Sequence, residues 1–160
     1  GRPASAIARD GLRPGQLTVQ GLPLMKPPYG TITAIDLNTG NIAWQVAHGD
    51  TADEVKNLPA LKGLPIAKTG RAYTGTGTLT TKTLVIAGEG GVSTKPNGAH
   101  GAFLFAYDKA TGEQKGAVFM AAQASGVPMT YMVNGQQYIL VAIGGGAYSG
   151  ELVAYRLPKG

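Results

Sequence analysis

The sequence predicts an all-β chain of four-stranded antiparallel sheets, and three observations carry that expectation. Glycine is abundant at 25 residues, 10 prolines accompany it, and only 14% of residues are charged. That profile suits short strands joined by tight turns; a helical bundle needs the Ala-, Glu-, Lys- and Leu-rich runs this chain lacks. One phrase also occurs twice at a spacing of 72 positions, AIDLNTGNIAW from Ala34 and AYDKATGEQKG from Ala106. Lastly, apolar and β-branched residues alternate with period two between turns rich in Gly, Asn and Asp, as half-buried strands do.

The elements follow in order. Residues 31–37 (TITAIDL) read as a strand, and Asp36 through Gly40 as its turn. The Asp carboxylate can accept hydrogen bonds from amides ahead of it, and the Gly can take positive φ. Residues 41–46 (NIAWQV) return as a strand whose Trp44 is placed to pack on a neighbouring sheet. A weak strand near 72–78 precedes a stronger one at 80–87 (TTKTLVIA). The second copy repeats the hairpin, with strands at 102–108 and 113–120 and a turn at 109–112. Residues 128–133 and 136–143 flank Asn134-Gly135, the strongest short hairpin signal. Residues 151–157 start the phrase a third time, with Arg156 in place of the Asp.

Hairpins recurring in this way, each closing on the same outer turn, predict β-propeller blades, about two and a quarter of them. With strands lettered A to D from the axis outward, residues 22–47 hold C and D of one blade. Residues 72–120 hold a full blade and 127–158 the A to C strands of a last one, within a propeller segment at 22–160. Residues 1–21 are expected to form a flexible leader or the end of a preceding blade. An incomplete ring has open strand edges, so remaining blades or self-association should cover them.

Composition also excludes. The net charge is +5, but Lys and Arg are scattered from Arg2 to Lys159 without aromatic interleaving, so nucleic acid is not an expected partner. Without Cys there is no disulfide, thiolate nucleophile or Cys-based zinc site. No apolar run approaches the ~20 residues of a membrane span, and no signal peptide is evident. The chain begins at Gly, which points to a processed chain, an engineered one or a piece of a longer protein.

Four motifs, in order, resemble one family. Ala34, Asp36, Gly40 and Trp44 resemble the tryptophan-docking motif of the eight-bladed quinoprotein alcohol and glucose dehydrogenases, with Ala106, Asp108 and Gly112 as its second copy. Pro27-Pro28-Tyr29-Gly30 resembles their Pro-Pro-Trp/Tyr-Gly loop. Pro128-Met129-Thr130-Tyr131 with Asn134-Gly135 and Tyr138 resembles a further segment, as does Gly144-Gly145 followed by Val153-Ala154-Tyr155 and Leu157-Pro158. The resemblance implies the C-terminal portion of a dehydrogenase that uses pyrroloquinoline quinone (PQQ) and Ca²⁺, is periplasmic, oxidises a glucose-like sugar or an alcohol and passes electrons to quinone or cytochrome. It also implies that the catalytic Asp and the calcium ligands lie in earlier blades. Asp36 and Asp108 are therefore scaffold, and no catalytic or metal-ligating residue is assigned here. The alternative is a non-catalytic propeller scaffold without cofactor.

Strand direction places the loops at 22–30, 48–71, 89–100, 121–127 and 144–150 on one face, and the tight turns on the other. Long loops carry function more often than tight turns do. On that face Lys26 is a candidate partner for one of the three PQQ carboxylates, and Tyr29 for lining the cofactor chamber. His48, Arg71 and Glu89 are candidate substrate-mouth residues, and His100 is a second possible proton relay. The glycine runs at 88–91 and 144–146 lack the Lys and the helix of a phosphate cradle and are expected to serve close packing.

Overall fold

A computed structural model of the chain describes residues 17–19, 21–66, 68–71, 77–95 and 97–156. A small hairpin of β1 (Thr18–Val19) and β2 (Leu22–Pro23) comes first. The repeated phrase then forms β3 (Thr31–Ile35) and β4 (Ile42–Ala47). The central sheet contains β5 (Thr78–Thr80), β6 (Leu84–Gly88), β7 (Ser93–Thr94), β8 (His100–Asp108) and β9 (Gln114–Met120). β5, β6, β8 and β9 pair in sequence as an antiparallel blade, and β7 pairs with the first residues of β8. The last sheet is a meander of β10 (Met129–Val133), β11 (Gln136–Gly145) and β12 (Tyr148–Arg156). The chain thus has the all-β, partial-propeller architecture its repeats predict.

Three expectations need correction or fall outside the described residues. The stretch 80–87 is not one strand: residues 81–83 turn the chain between β5 and β6. The Thr81 amide donates to the Leu84 carbonyl at 2.8 Å, and the Thr81 hydroxyl accepts from the Leu84 amide at 3.0 Å. β-Branching made Thr81 and Thr83 look like strand residues, but a threonine hydroxyl that bonds nearby backbone competes with the ladder. The loop at 48–71 also holds a one-turn helix, α1 (Asp53–Lys56), and a 3₁₀ turn at Pro59–Leu61. Asp53 and Glu54 in the first turn of α1 and Lys56 in the last match the helix dipole, and Val55 is buried. Residues 72–76 of the weak strand, Leu157-Pro158 and most of the leader lie outside the described residues.

Period-two alternation gives the central blade two buried faces. Ile86, Ala102 and Leu104 point one way and pack with Met120, Ala122, Ala124, Val141 and Ile143, which joins the central blade to β11. Val85, Phe105 and Tyr107 point the other way, against Ile32, Trp44 and Val46 of the first hairpin. The blades therefore stack face to face, with the core divided between two interfaces. Apolar residues such as Ile42, Met132 and Leu152 remain exposed on the two outer sheets.

The two copies of the phrase have the same register. Ala34 faces Trp44 and Ala106 faces Gly116, and a bulge follows each Ala. Each Asp carboxylate accepts from the amide two residues on, at 2.8 Å for Asn38 and 2.9 Å for Ala110. Trp44 is half-buried, and its Nε1 donates to the Lys109 carbonyl in the second turn at 2.9 Å. Gly112, at φ +75°, lies under the indole: an added Cβ would come within 2.6 Å of Trp44 Cε3. At Gly116 an added Cβ would meet nothing within 4 Å.

Candidate functional site at the loop end of the central blade

All five loops meet at one end of the sheets. The Tyr29 amide donates to the Thr69 carbonyl at 2.7 Å, tying 22–30 to 48–71. The Ala124 amide donates to the Glu89 carbonyl at 2.8 Å, and the Gly144 amide to the Gln123 carbonyl at 3.0 Å. The link between 48–71 and 89–100 runs through charged side chains, and it forms the centre of the site.

Glu89 immediately follows β6 and is 1% exposed. Its Oε1 accepts a hydrogen bond from the Asp50 amide. Its Oε2 accepts from the Phe103 amide at 2.6 Å and lies 3.4 Å from Lys95 Nζ. Lys95 is also buried; its ammonium reaches Asp50 Oδ2 and the Ser93 hydroxyl, both at 2.9 Å, and sits 4.2 Å from the centre of the Phe103 ring. Removing two charges from water costs several kcal/mol each, and the cluster offsets that with direct pairing and amide donors. Burial tends to raise the Asp50 carboxyl, but the Lys95 hydrogen bond and charge, with Lys56 and Lys68, hold it below its ordinary value.

His48 immediately follows the first hairpin's return strand and leans on the central blade. Its Nε2 is 3.2 Å from the Gly88 carbonyl and its Nδ1 is 3.0 Å from the Tyr107 hydroxyl. Since a carbonyl only accepts, the proton belongs on Nε2, and Tyr107 donates to Nδ1. Burial lowers the His48 pKa, with partial opposition from the Gly88 bond and the Glu89 charge. Burial, then the charge of Glu89, pushes the Tyr107 hydroxyl well above its usual range. The pair is thus a neutral imidazole with a neutral phenol, in a position to pass a proton but not to hold a charge.

Arg71 follows Gly70 at the end of the 48–71 loop, with its amide donating to the His48 carbonyl at 2.8 Å. The side chain is 5% exposed. Nη1 donates to the Val92 carbonyl at 2.6 Å, whereas Nε and Nη2 are buried without a hydrogen-bond partner among the described residues. Lys68 lies nearer the surface, its ammonium 4.0 Å from the centre of the Phe105 ring and 2.9 Å from Gln114 Oε1.

Of the residues singled out from the sequence, His48, Arg71 and Glu89 come together here. All three are drawn into the loop packing rather than standing at an open mouth. Lys26 is exposed and takes no part in the cluster's hydrogen bonds; Tyr29 is half-buried and joins through its backbone amide. His100 opens β8 in register with Thr94 and is exposed. Asp50, Ser93 and Lys95 were not picked out, since nothing in their spacing sets them apart from solvated loop residues. Among the described residues, no group of three or more His, Asp or Glu side chains is arranged to hold a metal ion.

Residues 6–139 match the family model for the PQQ glucose/ethanol/alcohol dehydrogenase β-propeller domain. The chain belongs to that family. It is 35% identical to a probable quinate dehydrogenase (quinone) of Xanthomonas campestris pv. juglandis in an alignment of 153 positions that covers 89% of this chain and 17% of that protein. It is 33% identical to the quinoprotein glucose dehydrogenase of Escherichia coli K12, over 86% of this chain and 17% of that protein. Quinoprotein glucose dehydrogenase A of Acinetobacter calcoaceticus is 31% identical over 89% of the chain and 17% of its own length. The chain thus spans 17% of the length of these quinoproteins, whose other propeller blades lie outside it.

Proposed function

We propose that this chain is the C-terminal segment of a PQQ- and Ca²⁺-dependent dehydrogenase of sugars or related polyols, and forms part of the wall around the cofactor. The observation that carries this reading is the convergence of five loops on one end of the blades, around half-buried His48 and buried Arg71 and Glu89. The Nε–Nη2 edge of Arg71, buried without a hydrogen-bond partner among the described residues, suits an anionic group such as a PQQ carboxylate. When bound, PQQ supplies the hydride-accepting quinone. The residues of this chain would orient and shield it. The Glu89–Lys95–Asp50 cluster fixes the loops, and His48 with Tyr107 presents neutral groups that do not compete for a bound anion. The catalytic base and the ligands of Ca²⁺ would come from other blades.

The substrate class follows the relatives: glucose, quinate and glycerol dehydrogenases all match, so a polyhydroxylated donor is proposed. A quinone or cytochrome acceptor and a periplasmic location belong to the same proposal; no helix among the described residues is long and apolar enough to cross a membrane. A second reading, a cofactor-free scaffold, is favoured by Glu89, both of whose oxygens are committed to protein donors. Titration of the full-length protein with PQQ in the presence of Ca²⁺, followed by absorbance and calorimetry, separates the two. Saturable, calcium-dependent binding with dye-linked oxidation of glucose, quinate or glycerol is expected. Absence of binding at high micromolar PQQ would leave the scaffold reading.

A further inference from the structure

We propose that Arg71 is a seat for a ligand carboxylate, taken in bidentate fashion on the Nε–Nη2 edge of its guanidinium. A guanidinium is always charged and offers five donors in a fixed fork. In Arg71 one donor nitrogen, Nη1, is committed to the Val92 carbonyl. The two unpartnered nitrogens, Nε and Nη2, form one complete side of the fork, with parallel N–H bonds matched to the two oxygens of a carboxylate. A buried cation with two unsatisfied donors is costly, so the fold would not retain it without an acceptor that arrives from elsewhere.

The surroundings bury this edge without giving it an acceptor among the described residues. Among the described residues no carboxylate oxygen lies within ion-pair distance of Arg71; Glu89 and Asp50 are engaged by Lys95 instead. Gly91 lies against the guanidinium, and an added Cβ there would be 2.5 Å from Nη1. Gly49 leaves room for the stem, since its Cβ would meet Arg71 Cβ at 3.3 Å. Two positions that crowd any added side chain thus accommodate an arginine whose charge no described carboxylate balances.

The choice of a carboxylate over other anions rests on the proposed function, which supplies two sources: the cofactor, with three carboxylates, and a polyhydroxy acid substrate. The test uses the full-length protein, its Arg71→Met and Arg71→Lys variants, and Gly91→Ala, which displaces the guanidinium without removing it. Calorimetry measures PQQ binding, and unfolding midpoints are compared in gluconate and in sorbitol, which differ only in carboxylate against hydroxymethyl at one end. A loss of PQQ affinity of at least tenfold in Arg71→Met and Gly91→Ala, partly restored in Arg71→Lys, supports the seat with the cofactor as source. A gluconate-specific midpoint rise that these variants abolish supports it with the substrate as source. Wild-type PQQ affinity in the variants together with no gluconate-specific shift overturns it, even if stability falls, because the acid partner is then part of the polypeptide. Failure of the wild-type protein to bind PQQ overturns the proposed function instead, and the gluconate comparison alone then decides the seat.

Discussion

The two ends of the central blade use the same device in opposite settings. At the turn end, Asp108 accepts amide hydrogen bonds from Ala110 and Thr111 at 2.9 and 3.0 Å and stays in contact with water. At the loop end, Glu89 accepts amide hydrogen bonds from Asp50 and Phe103, but it is buried and carries an ammonium beside it. The exposed carboxylate organises four residues of its own turn. The buried one joins segments that are 39 and 14 residues away in sequence. A local turn can be specified by short-range sequence, whereas a junction between loops needs a group whose loss cannot be repaired by water.

The largest effect should come from breaking that contrast at the buried end. Glu89→Ala leaves two buried amides without their acceptor and takes from Lys95 one of its two carboxylates, and is expected to cost about 3–5 kcal/mol in chemical denaturation. A loss under 1 kcal/mol would show that water replaces the carboxylate and that the two ends are equivalent. Lys95→Met removes the cation instead and keeps the stem on the Phe103 ring; about 2–4 kcal/mol is expected. A double-mutant cycle with Asp50→Asn should show coupling between the two sites.

Intermediate effects belong to the turn end. Gly112→Ala places a Cβ at positive φ and against the Trp44 indole, whereas Gly40→Ala meets only the backbone strain, since nothing lies within 4 Å. The first should cost about 2–3 kcal/mol and the second about 1 kcal/mol in thermal or urea unfolding. Equal costs would mean that the Trp44 contact contributes nothing beyond the turn.

The pH dependence sharpens the contrast further. Folded His48 titrates below its ordinary 6.5, so between the two values the unfolded chain binds more protons. Its contribution is intact above pH 6.5 and is lost as pH falls through that range. Asp50 and Asp108 are both held below 3.8, so their contributions persist above that value and fade beneath it. Stability measured from pH 8 to pH 3 should therefore fall in two stages, and His48→Gln should remove the first. The smallest change is expected for Asp108→Asn: an amide oxygen can still accept from the turn amides, and the acid sensitivity of this end should weaken without a marked shift at neutral pH. A large neutral-pH loss would put Asp108 on a par with Glu89.

Most of the strands could be read from the sequence because they rest on local rules. Alternation set the two faces of β6 and β8, Asn134-Gly135 set one hairpin, and the Asp-to-Gly phrase set two others with the same register. Where a local rule had two outcomes the reading failed: Thr81 and Thr83 have strand propensity, yet the Thr81 hydroxyl also bonds the turn that the two residues form. The loop residues were harder. His48, Arg71 and Glu89 could be picked out as charged or titratable groups on the right face, but Lys95 and Asp50 could not, because a loop lysine next to proline looks solvated until its partner is known.

Periodicity and turn chemistry act over a few residues, so they determined the sheets, the repeat and the face on which the loops gather. Burial and charge pairing act between segments distant along the chain, so folding alone decided that Lys95 would lie between Glu89 and Asp50. The same holds for Arg71: no pattern near Gly70-Arg71 foretells a buried guanidinium with one side of its fork unpartnered among the described residues. Electrostatic energies depend on depth and distance, and those become defined only when the loops are packed together.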